Sequence, residues 1–176
     1  MPIELYALAD ISRILGIKRG RLSYWLARGF IKPSAKRNGH GRLPWFTRGD
    51  IYLIRLFGDI VDHGLSSMKS ARYIEGIREK LSLEGFLSES DSAHAPPLDL
   101  WAAVSVVRGH QPVLSIKRDM DTIGSLRDWR PPENPEIIDE WEAQQDFVML
   151  INLYTLIRDV NKACDEYDST HRNHEK

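Results

Sequence analysis

The sequence predicts a mainly α-helical fold with a small β component: an N-terminal winged helix-turn-helix, then a C-terminal β-hairpin with a long dimerisation helix. Three observations predict it. Apolar residues recur at helical spacing through the first 80 positions, an Asn38-Gly39 pair separates two strand-like runs, and Asn134-Pro135-Glu136 opens a stretch with near-heptad spacing. The divisions expected from composition are residues 1–81, a linker over 82–98 containing the run SESDSAHAPP, and a dimerisation or regulatory region over 99–176.

The net charge of −1 conceals two opposed halves. Residues 1–80 hold 15 Lys and Arg against 7 Asp and Glu; residues 81–176 hold 9 against 18. A basic half beside an acidic one points to a polyanion-binding module joined to a module with another task. No apolar run approaches the roughly 18 residues of a membrane span, and no signal peptide is evident, so the expected location is the cytoplasm. A single cysteine, Cys164, excludes an internal disulfide and paired thiolate ligands. The six histidines, His171 and His174 included, show no ligand spacing, so neither metal nor cofactor is expected. No nucleophile elbow, phosphate-binding glycine loop or zinc motif is present, which argues against an enzyme.

In Leu8-Ala-Asp-Ile-Ser-Arg-Ile-Leu15 the apolar positions 8, 11, 14 and 15 share one helical face, and Gly16 stops the helix. A second helix is expected over Lys18–Arg28, with Leu22, Trp25 and Leu26 inward. Two short helices around a tight turn form a helix-turn-helix. The opposite face carries Gly20, Arg21, Tyr24, Ala27 and Arg28, with Lys18 and Arg19 at the helix start. That row suits the major groove, where guanidinium groups fork onto guanine or bind phosphate. Ile31–Phe46 reads as a basic hairpin, or wing, with Lys36, Arg37, His40 and Arg42 placed for backbone phosphates. Thr47-Arg-Gly-Asp50 forms a capping box for a third helix with Ile51, Ile54, Phe57 and Val61 inward, closed by Gly64. Ser66 or Ser67 caps a fourth, with Met68, Ala71, Ile74 and Ile77 inward. Trp25, Trp45 and Phe57 are assigned to the core.

In the acidic half, Leu100–Val107 and Val113–Ile116 are expected to pair as strands, and Met120–Pro132 to be irregular. A long helix is expected from Asn134 to about Tyr167. Phe147, Leu150, Tyr154, Ile157, Val160 and Cys164, widened by Ile151, form a seam that would pack on the hairpin and on a second copy, burial within one chain being the alternative. Trp101, Trp129 and Trp141 read as core in preference to an effector pocket.

The runs ADISRILGIKRGRLSYWLARGFIKP and FTRGDIYLIRLFGDIVDHGLSSMKSARYI, with the basic wing between them, resemble the N-terminal domain of MerR-type winged helix-turn-helix transcriptional regulators over about 75 residues. The specific elements are Leu22-x-Tyr24-Trp25, Gly29-Phe30-Ile31-Lys32-Pro33, Arg42 and Asp50. The chain departs from the family at Ser23, where Arg is usual, at Leu26, where an acid is usual, and at Lys18, where Ser or Pro is common. The resemblance implies a homodimer paired through a long C-terminal helix, acting on double-stranded DNA at a pseudo-palindromic promoter site, with RNA polymerase a candidate partner. It also brings an effector into question; the cysteine-rich metal loop of some members is missing, and the effector stays unknown. Two other classes use similar modules: phage-type architectural DNA-binding proteins such as excisionases or small terminase subunits, and protein-interaction adaptors.

Overall fold

The computed structural model describes residues 5–34, 44–83, 101–107, 113–117 and 145–171. They form helices α1 (Leu8–Leu15), α2 (Arg19–Ala27), α3 (Arg48–Asp62) and α4 (Ser67–Leu83), strands β1 (Trp101–Val107), β2 (Val113–Lys117) and β3 (Gln145–Asn152), and helix α5 (Leu153–His171). The chain divides into a helical unit, residues 1–95 with 156–176, and a sheet unit, residues 96–155. The region expected as one piece over 99–176 is thus split, its last helix grouping with the N-terminal residues.

The first four helices follow from local signals. Gly16, at φ 66°, ends α1 in the left-handed region that disfavours a β-carbon, and the Ser12 hydroxyl donates to the Ile17 carbonyl at 2.7 Å across the turn. Thr47 caps α3: its hydroxyl accepts from the Asp50 amide at 3.3 Å, while the Asp50 carboxylate accepts from the Thr47 amide at 3.0 Å. Gly64, at φ 97°, closes that helix. The Ser66 hydroxyl accepts from the Lys69 amide at the start of α4. Leu22, Trp25, Ile51, Ile54, Phe57, Ile74 and Ile77 are buried as expected. Met68 is not; it is 66% exposed. At about 100° per residue Met68 lies roughly half a turn round the helix from Ile77, and the inward stripe is Ser70, Tyr73, Ile74, Ile77 and Leu81.

In the sheet unit β1 and β2 form the expected antiparallel pair, Trp101 opposite Lys117 and Ser105 opposite Val113. A third strand joins them, giving the order β2-β1-β3 and a sheet that does not rest on a lone hairpin. β3 corrects the sequence reading, since Phe147, Leu150 and Ile151 were assigned to a helix beginning at Asn134. Phe147 faces Val106, Leu150 faces Ala103 and Ile151 faces Ala102 across the ladder. The run Phe147-Val-Met-Leu-Ile151 is continuously apolar, a pattern that periodicity alone does not separate from a helix, and its Phe, Val and Ile favour strand pairing. The helix starts only after Asn152, whose side-chain oxygen accepts from the Thr155 amide at 2.9 Å. Residues 134–144, where the helix was expected to begin, lie outside the described residues.

From Leu156 onward α5 is embedded in the helical unit. Leu156, Ile157, Val160 and Cys164 are buried within the single chain, which is the alternative weighed above for this seam. Polar groups fix the docking. The Tyr6 hydroxyl donates to Asp168 at 2.7 Å, Arg48 donates to Asp165 at 2.7 Å and to Asp168 at 3.5 Å, Tyr52 donates to Asn161, and Tyr167 donates to Asp10 at 2.6 Å. Tyr6 is held from the other side by a two-bond bridge to Phe46. Among the described residues no helix is long and apolar enough to cross a membrane.

Burial pushes the Tyr52 phenol and the Cys164 thiol up to about 12, and raises Tyr6 further with help from Asp168. Released by unfolding, the thiol and phenols would ionise near 9.0 and 10.0. Above those values the unfolded chain holds fewer protons than the folded one, so stability falls with rising pH. The helical unit is therefore expected to keep this stability below pH 9 and lose it progressively as pH rises through about 12, read as a falling urea midpoint. A midpoint unchanged between pH 9 and 11.5 would contradict buried, neutral phenols and thiol.

Candidate nucleic-acid interface

The face of α2 opposite Trp25 and Leu22 is open. Lys18, Arg19, Gly20, Ser23, Ala27 and Arg28 are exposed, and Tyr24, at 51% exposure, is one of two large exposed apolar side chains among the described residues. The Arg28 guanidinium lies 5.7 Å from the Tyr24 ring centroid, and Tyr24 meets Phe30 edge-on at 6.2 Å. This leaves a cationic and aromatic strip that small residues allow another molecule to approach closely. Such a strip can donate hydrogen bonds to phosphate oxygens and base edges.

Arg21 departs from the expected outward row. Its Nη1 donates to Asp62 Oδ2 at 3.3 Å and its Nη2 donates to Asp62 Oδ1, a two-pronged pair at the end of α3, while its guanidinium sits 4.5 Å from the Trp25 ring centroid. The Arg21 hydrogen bond holds the Asp62 carboxyl below its usual range. Sequence spacing did not find this partner, because 41 residues separate the two.

Beside the strip, the segment leaving α2 is anchored by Asp50, a carboxylate only 2% exposed. Asp50 accepts from the Ser34 amide at 2.9 Å and hydroxyl at 2.7 Å, from the Thr47 amide, and from Arg78 Nη1 at 3.1 Å. Arg78 also donates to the Lys32 carbonyl at 3.2 Å. The start of the expected wing is thereby tied to α3 and α4. Lys36, Arg37, His40 and Arg42 themselves lie outside the described residues. So does most of the wing. The sequence showed Asp50 only as a cap; its link to Arg78 spans 28 residues and carries no local signal.

Of the seam residues, Ile157, Val160 and Cys164 come together on α5, Tyr154 stands at its first turn, and Phe147, Leu150 and Ile151 are separated from them on β3. Trp101 lies on β1, and Trp129 and Trp141 lie outside the described residues.

Truncating Asp50 to Ala would leave the Ser34, Thr47 and Arg78 donors without their acceptor. The expected loss is about 3 kcal/mol in urea unfolding. Arg78→Ala should cost less, because the buried carboxylate loses its charged partner but keeps the Ser34 and Thr47 donors, and a loss under about 0.5 kcal/mol for both would show that the network contributes little.

Residues 6–77 match the family model described as MerR HTH family regulatory protein. No curated protein matches the chain. The match covers the N-terminal region, under half of the chain, and makes that region similar to a MerR-type helix-turn-helix domain.

Proposed function

We propose that the chain is a sequence-specific regulator of transcription that acts as a homodimer, each copy presenting α2 to one half of a pseudo-palindromic promoter site. The observation that carries this reading is the exposed strip of Lys18, Arg19, Tyr24 and Arg28, backed by the buried Leu22 and Trp25. In the proposed complex Lys18 and Arg19 hold phosphates at the helix start. Tyr24, Arg28 and, once released from Asp62, Arg21 reach base edges or flanking phosphates. Lys36, Arg37, His40 and Arg42 are assigned to phosphates beside the groove. Double-stranded DNA, a second copy and RNA polymerase are the proposed partners.

The proposed pairing of copies needs a different account from a helical seam. Ile157, Val160 and Cys164 are buried within one chain, which leaves Phe147, Leu150 and Ile151 on β3 and Tyr154 beside it as the proposed contact. Among the described residues β3 is an outer strand in the order β2-β1-β3, and an outer strand offers backbone donors and acceptors to a second copy.

Two measurements test the reading. Light scattering should give twice the 20.2 kDa chain mass, and a 20 kDa value would exclude the homodimer in solution. A footprint on the DNA that the protein selects should be symmetric, with half-sites about 34 Å or a multiple apart, and its affinity should fall steeply with salt. Arg28→Ala is expected to weaken binding about tenfold or more, and Arg21→Ala to blur preference among sequences more than Arg42→Ala does. Affinity independent of salt, or equal for all sequences, would defeat the proposal.

A further inference from the structure

We propose that Asp62 is a specificity-determining residue: it occupies the Arg21 fork in the free protein and yields it only to a DNA site that offers a two-pronged acceptor in register. The inference rests on the DNA-binding reading above and deepens it.

The argument begins with where Arg21 stands. At about 100° per residue it lies only about 20° round α2 from Arg28, on the open strip, and about 40° from Trp25, at the edge of the core. From that boundary its side chain can turn outward, or inward across Trp25 to the end of α3. In the structure it turns inward, over the Trp25 ring, and both Nη atoms meet the two oxygens of Asp62. Arg21 is partly shielded, with its side chain 37% exposed, while Asp62 is 59% exposed. The carboxylate is therefore open to displacement by solvent-borne acceptors.

The end-on fork formed by Nη1 and Nη2 can also span O6 and N7 of guanine, so Asp62 and a base compete for the same donors. Exchange of one two-pronged acceptor for another preserves the hydrogen bonds. A phosphate aligned with the fork could take it in the same way, but one held away from the fork by the contacts of a wrong site gains no such exchange and meets the Asp62 carboxylate beside the strip. An added cost against the wrong partner widens discrimination even where it does nothing for the right one. The neighbouring carboxylate, Asp59, does not share this role: it pairs with Arg55 of its own helix at 3.1 Å.

The test measures anisotropy of labelled duplexes at fixed salt, comparing the selected site with a scrambled duplex of equal length. For Asp62→Asn, affinity for the scrambled duplex should rise about threefold or more while affinity for the site changes less, so their ratio falls. In an Arg21→Ala background the same change should leave the ratio constant. Asp59→Asn removes an equal charge without touching Arg21, and should also leave the ratio constant. The inference is overturned if Asp62→Asn strengthens both duplexes equally, as bulk charge alone would. It is overturned too if Asp62→Asn weakens the site, as loss of a positioning group would. A wild-type protein that prefers no duplex removes the regulatory reading itself, a result distinct from either.

Discussion

The edge-on packing of Trp25 against Phe57, centroids 4.8 Å apart and rings at 83°, is the contact on which the presentation of α2 depends. A helix can be rotated about its axis at little local cost; what fixes the rotation is the side chain it must bury. With Trp25 turned in against Phe57 of α3 and Leu22 buried, Tyr24 and Arg28 have to face out. Phe30 extends the cluster by stacking on Phe57 at 6.1 Å, so the segment after α2 is held by the same ring. The cationic strip is thus a consequence of aromatic packing beneath it.

A second layer of order comes from α5. Its apolar residues close the helical unit, and its acids return to the basic half: Asp165 and Asp168 to Arg48, and Tyr167 to Asp10. Charge segregation along the chain therefore does not survive intact in the fold. Arg48 and Asp168 are largely shielded from solvent, while Asp165 stays exposed. Desolvation opposes the Arg48 charge and the bonds to Asp165 and Tyr6 more than restore it. Arg21 is held by Asp62. The surplus that faces outward on α2 is concentrated in Lys18, Arg19 and Arg28, a smaller and better defined set than a count of basic residues suggests.

The helical unit was readable because its signals are local. Gly16 and Gly64 mark chain reversals that only a residue without a side chain adopts easily, Thr47 and Asp50 satisfy each other's backbone within one turn, and the inward stripes of α2 and α3 repeat every three or four residues. Errors arose where a local pattern had two solutions. The apolar run at 147–151 fits a helix face or a buried strand equally well, and pairing with β1 decides for the strand. Met68 matched a rough spacing whose phase drifts away from Ile77.

Sequence by itself determined the helix-turn-helix, its boundaries to within a residue or two, and the outward strip apart from Arg21, because backbone capping and helical periodicity act over three to four residues. Tertiary structure alone decided that Arg21 is engaged by Asp62, that Asp50 joins Ser34 to Arg78, and that α5 completes the helical unit of its own chain. Each of these is a meeting of charges or apolar faces from distant positions. Which of several available partners a side chain takes depends on the distance and burial that the whole fold imposes.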